Sequence, residues 1–205
     1  MSDNAEPMNL DISDEMIAER RGGGELPDDM PPWMAATIRT IDKFSLRIGQ
    51  IVCWITLPLC FAMVYEVVAR YAFIAPTSWA YDMSRFMYGA MFMLGAGYVL
   101  SKGVHIRADF IYRNWSPRTQ GLIDSVLYIA LYFPGMIVFL IMGTDFAMSA
   151  WERGEKGMDT AWMPHMGPIK SALPIGTLFL IIQGVSELLK SLYAAQKGRW
   201  PWYGK

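Results

Sequence analysis

Four apolar stretches, residues 48–68, 80–100, 122–141 and 174–192, account for nearly half of this chain. Each is close to the ~20 residues that a helix needs to cross the hydrocarbon core of a bilayer. A helix satisfies its own backbone donors and acceptors in lipid, where water cannot. The expected fold class is therefore an all-α membrane protein with four transmembrane helices, spanning about 48–70, 79–101, 121–150 and 170–193. With 53% hydrophobic residues in 205, little remains outside the spans. A membrane domain over 48–195 and a C-terminal tail over 196–205 are expected, with no sizeable extramembrane domain. In residues 33–47, Ile38, Ile41, Phe44 and Leu46 alternate with Arg39, Asp42, Lys43 and Arg47. That period predicts an amphipathic helix lying in the interface before the first span, anchored by Trp33. A plain extension of the first span is the alternative.

Charge is distributed unevenly. Residues 1–32 hold nine acidic and two basic residues, and the remainder ten acidic and sixteen basic. The first segment, with three consecutive glycines and several prolines, reads as a disordered acidic tail. It has no basic start followed by an apolar run, so it is not expected to be a signal peptide. Lys and Arg favour the cytoplasmic side of a membrane. They gather before the first span (Arg39, Lys43, Arg47), in the second connection (Lys102, Arg107, Arg113, Arg118) and at and after the end of the last span (Lys190, Lys197, Arg199, Lys205). Both termini and the second connection are therefore expected in the cytoplasm.

Polar residues within or beside the spans are the candidate functional positions. Glu66 and Arg70, four apart, suit an ion pair on one helix face or a contact with another subunit. Trp79, Asp82 and Arg85 share roughly one face at the start of the second span. A charge at that depth costs a few kcal/mol unless it pairs or reaches the headgroups. Asp82 is the local partner for Arg85, and a polar anchor against another protein is the alternative. Gly89, Ala90, Gly95, Ala96 and Gly97 make this helix small-sided, which allows close approach in lipid. Pro58 should kink the first span, and Pro134-Gly135 should bend the third. Gln183 lies well inside the fourth span as a hydrogen-bonding group. Cys53 and Cys60, two turns apart on one helix, are too distant for a disulfide.

Catalytic constellations are missing. His105 and His165 fall on opposite sides of the membrane in this topology, so they cannot serve as paired haem ligands on facing helices. They form no zinc pattern, and no Gly-rich phosphate loop occurs. Neither enzyme activity nor a catalytic, cofactor or metal site is expected, and nothing points to nucleic acid. The two halves of the chain show no internal repeat of the kind from which carriers are commonly built. The pattern is that of an accessory subunit. A four-helix membrane redox protein or enzyme, and a stand-alone homo-oligomeric carrier, are the alternatives.

Three motifs in this order and spacing resemble the small membrane subunit of tripartite ATP-independent periplasmic (TRAP) transporters. They are Trp79-x-x-Asp82-x-x-Arg85 at the start of the second span, Gly103-x-His105-Ile106-Arg107-x-Asp109 after it, and Leu173-Pro174-Ile175-Gly176 opening the fourth. The resemblance covers about residues 34–195. The outer connection, 151–170, and residues 182–188 look like the mannitol, chloroaromatic or α-keto-acid subgroup. The resemblance implies a multi-pass protein of the bacterial inner membrane with two partners, a large membrane subunit and a periplasmic solute-binding protein. It also implies ion-coupled uptake of a carboxylate-type solute. His105, Arg107 and Asp109 are then candidates for an ordered hairpin or subunit contact. Arg153 and Lys156 are candidates for docking the binding protein.

Overall fold

The structure, a computed structural model, describes residues 26–27, 29–102 and 115–201. Every regular element among them is helical, and the one extended pairing is an isolated antiparallel bridge between Lys156 and His165. In chain order the helices are α1 (Pro32–Cys53), α2 (Thr56–Ala72), α3 (Ala80–Ser101), α4 (Pro117–Leu127), α5 (Phe133–Glu152) and α6 (Gly167–Lys197). A π-helical turn, Tyr128–Tyr132, joins α4 to α5.

Prolines set the interruptions. Pro58 has no N–H to offer the Trp54 carbonyl, as a regular helix would require. Leu57 N donates to that carbonyl instead at 3.2 Å, and Ile55 N donates to Val52 O at 3.0 Å. The tightened turn separates α1 from α2 without ending the helical path. Pro134 likewise cannot bond the Ala130 carbonyl, and the chain widens there into the π turn, where Phe133 N donates to Tyr128 O. Pro174 lies inside α6, whose 31 residues continue until Gly198, at φ 71°, caps the helix.

Three helical paths are long and apolar enough to cross a membrane: Pro32–Ala72, Pro117–Glu152 and Gly167–Lys197. This differs in two ways from four spans preceded by a separate interfacial helix. The amphipathic segment runs into the first span as one 41-residue path. Helix α3, with 22 residues, is long enough to cross but less apolar, because Asp82, Arg85 and its tyrosines, serines and glycines dilute it.

The helices form a row rather than a ring. Helix α3 packs on α1 and α2 at one side and on α6 at the other, and α6 packs in turn on α4 and α5. Helix α1 also reaches α6, while α1 and α2 make no extended contact with α4 or α5. The central α3–α6 seam is tight. A Cβ on Gly176 would lie 2.4 Å from the Met93 carbonyl oxygen, so only glycine lets the backbones approach there. The outer helices are mostly uncovered: α2 buries only Leu59 and Ala62, and α5 only Gly143, Ala147 and Ala150. Exposed Leu57, Phe61, Val64, Ile137, Phe139 and Met142 would be untenable in water. In a bilayer they are ordinary surface.

Candidate functional site

Polar side chains gather at three places along this wall. The first is buried between α1 and α6. One line of α1 faces inward: Met34, Ile38, Ser45, Gly49 and Val52. Asp42 falls in the same line. Its Oδ2 meets the Lys190 ammonium at 2.9 Å, and its Oδ1 accepts from Gln183 Nε2 at 2.9 Å and Ser186 Oγ at 2.8 Å. Lys190 also bonds Glu187 Oε1 at 2.7 Å, and Ser45 Oγ donates to Gln183 Oε1 at 2.7 Å. Gln183, Ser186, Glu187 and Lys190 are all buried. Two carboxylates thus share one ammonium, and the Gln and Ser groups supply the remaining bonds. Such a group is costly to bury and more costly to break. It fastens α1 to α6.

The second place is the end of the wall where the described chain starts and finishes. Met30, Met34 and Ile38 pack on Tyr193 in a small apolar cluster. Beside it Asp29 accepts from Tyr193 Oη at 2.7 Å and pairs with Arg199 at 2.8 Å and Lys197 at 3.5 Å. The Tyr193 hydroxyl first, and then Arg199, hold the Asp29 carboxyl down to about 2. Asp29 in turn raises Arg199 above the usual guanidinium value. Trp200 is buried, and its indole N–H donates to Gln120 Oε1 at 3.0 Å.

The third place, at the opposite end, contains the motif residues. Trp79 precedes α3 and stacks on Tyr65 at 5.8 Å. Asp82, 1% exposed, accepts from the Thr160 hydroxyl. Arg85 pairs with Asp159 and lies over the Tyr81 ring. The expected local Asp82–Arg85 pair is therefore replaced by two contacts to the 153–166 connection, which a fixed motif on α3 holds down. Glu66 accepts from Arg70 Nε at 2.9 Å and from Thr77 N at 3.0 Å, tying the end of α2 to the turn before α3. In the connection itself, Gly157 N donates to Pro164 O at 2.8 Å and Lys170 bonds Glu155 at 2.6 Å. Arg153 and Lys156 are exposed, with Arg153 Nε reaching back to Ser149 O at 3.2 Å.

The nine expected interface candidates thus divide. Trp79, Asp82, Arg85, Glu66 and Arg70 converge at the connection end, and Gln183 is the hub of the buried group near the other end. His105, Arg107 and Asp109 lie outside the described residues. The sequence pattern groups Asp42 with Arg39, Lys43 and Arg47 as the polar residues of an amphipathic helix. The available signal was its phase, since Asp42 continues the line set by Met34, Ile38, Ser45 and Gly49. No group of His, Cys, Asp or Glu among the described residues could hold a metal ion. A cavity of about 420 Å³ between α3, α5 and α6 is walled mainly by apolar groups, including Tyr88, Phe92, Phe146 and Leu173; its one charged lining residue, Lys170, is paired with Glu155.

Apolar helices in a single row, fastened by polar groups at their ends, define a membrane-embedded component. Residues 59–193 match the family described as tripartite ATP-independent periplasmic transporters, DctQ component, and the chain belongs to that family. No curated protein matches the chain. The family is a transporter component and not an enzyme. The match begins after α1, so the Asp42–Lys190 group joins a helix outside the matched region to the last helix within it.

Proposed function

We propose that this chain is a fixed wall for the large membrane subunit of its transporter, which takes up a carboxylate-type solute, coupled to an ion gradient, from a periplasmic binding protein. One observation carries the reading. The helices stand in one row with broad apolar faces, and the cavity between α3, α5 and α6 offers a solute almost nothing polar. A carboxylate needs paired cations or aligned N–H groups in a dry site. The Asp42–Lys190 group supplies neither, because its ammonium already serves two carboxylates.

The proposed orientation puts both termini on the cytoplasmic side of the bacterial inner membrane. Arg39, Lys43, Arg47, Lys102, Arg118, Lys197 and Arg199 at one end support it. The 153–166 connection would then face the periplasm and present Arg153 and Lys156 to an acidic patch on the binding protein. The subgroup resemblance of residues 151–170 and 182–188 is the only support for a mannitol, chloroaromatic or α-keto-acid substrate class. Co-extraction tests the scaffold role. An affinity-tagged chain expressed with the large subunit should bring it down in mild detergent at about one to one. Recovery of the large subunit no greater than from an untagged control would overturn the reading. Charge reversal at Arg153 and Lys156 should weaken capture of the binding protein without releasing the large subunit. Unchanged capture would remove those two residues from the docking surface.

A further inference from the structure

The outward face of α1 carries a cationic line that no ion pair among the described residues accounts for. Arg39, Lys43 and Arg47 are spaced by four residues, about 6 Å of helix axis each. All three are exposed, on the side of α1 opposite its buried line. None forms an ion pair with another described residue, whereas Lys170, Lys190, Lys197, Arg70, Arg85 and Arg199 all do. Along one flank of the line stand Trp33, Phe44 and Ile51, at 62%, 42% and 64% exposure.

The packing of α1 fixes the level of this line. A Cβ on Gly49 would lie 2.3 Å from the Tyr98 ring, so residue 49 is level with residue 98 of the antiparallel α3. Helix α3 ends at Ser101, one turn further on. Arg47, Lys43 and Arg39 therefore stand at and beyond the end of α3, on the side that the proposed orientation assigns to the cytoplasmic headgroups. Cations with no ion pair among the described residues, flanked at that level by aromatic and aliphatic side chains that can dip toward the acyl chains, match a surface of phosphodiester anions.

We propose that Arg39, Lys43 and Arg47 form a binding surface for anionic phospholipid headgroups. Charge complementarity commits it to lipid phosphate, and the apolar flank distinguishes a lipid from a free anion. The inference needs the membrane-embedded fold and the proposed orientation and is independent of the scaffold role.

Native mass spectrometry of the full chain in mild detergent tests it, with short-chain phosphatidylglycerol and phosphatidylethanolamine as probes and inorganic phosphate as a third ligand. Each cation near the surface contributes about fivefold to affinity. The combined change Arg39→Gln, Lys43→Gln, Arg47→Gln should weaken phosphatidylglycerol binding about a hundredfold and leave phosphatidylethanolamine binding unaltered. The charge-conserving Arg39→Lys, Arg47→Lys variant should retain binding, which separates loss of charge from loss of fold. Equal binding of both lipids by the natural chain would overturn the proposal, as would phosphatidylglycerol binding unchanged in the triple variant. Inorganic phosphate competing as well as the lipid would also overturn it. So would phosphatidylglycerol binding that arises only after removal of residues 1–25, which would assign the line to the acidic tail.

Discussion

At the scale of single residues, the account turns on which charges have no alternative partner. Lys190 is 5% exposed and serves both Asp42 and Glu187. Lys190→Met should therefore cost about 3–5 kcal/mol, the usual loss when one member of a buried ion pair is removed. Replacing Asp42 and Glu187 by Asn and Gln in the same chain should restore most of it. Thermal unfolding in detergent reads both, and a single-variant loss below about 1 kcal/mol would mean that water reaches the group. Asp29 behaves differently because it is exposed. Its carboxyl is held down to about 2 in the folded chain, against 3.8 otherwise. A depressed carboxylate stabilises the fold above its unfolded value and loses that contribution as pH falls through its folded one. Hydrogen exchange at residues 29–38 should be insensitive to this group from pH 7 to 5 and should accelerate between about pH 4 and 2. Asp29→Asn should give the acid behaviour already at pH 7. Gln183 was legible as a hydrogen-bonding group from its depth in the fourth span. Asp42 was not, because an alternating charge pattern in residues 33–47 masked its phase on the buried line.

At the scale of elements, three apolar paths and their proline interruptions were legible, since apolar runs of fixed length and prolines act locally; a fourth equally apolar span and a separate interfacial helix were expected and are not what the fold shows. Pro58 produced the break at residues 54–55, and Pro134 a π turn in place of a simple bend. The pairing of elements was not legible, because it depends on which small residues meet across a seam. Gly176 against Met93 is the clearest instance. Gly176→Leu should force α3 and α6 apart and cost at least the 1–3 kcal/mol typical of overpacking, read as a lower melting midpoint. At the far end of α3, two contacts to the same connection should differ in weight. Asp82 is 1% exposed, so Thr160→Val leaves a buried carboxylate without that donor and should cost about 1–3 kcal/mol. Arg85 and Asp159 are 39% and 52% exposed, and Arg85→Gln should cost about 1 kcal/mol or less. Limited proteolysis of residues 153–166 should accelerate strongly in the first variant and little in the second. Equal acceleration would contradict the ranking.

At the scale of the whole molecule, the arrangement in a row decides what the protein can do. A ring of helices can enclose a polar path, whereas here α6 packs directly on its neighbours and the cavity between α3, α5 and α6 is mainly apolar. Here the polar groups fasten the row at its ends and the apolar groups cover its sides. That is the surface expected of a membrane component that packs side-on against a larger one. The family was legible from three short motifs. Two of them map onto structural reasons: Asp82 and Arg85 hold the 153–166 connection while Trp79 stacks on Tyr65 of α2, and Gly176 lets α3 and α6 touch. The third, around His105, Arg107 and Asp109, lies outside the described residues. The central claim, that this chain holds no solute pathway of its own, is tested most directly by reconstitution into proteoliposomes with an imposed sodium gradient and the cognate binding protein. Solute uptake should equal that of empty vesicles with this chain alone and should occur when the large subunit is added. Gradient-driven uptake by this chain without the large subunit would contradict the account.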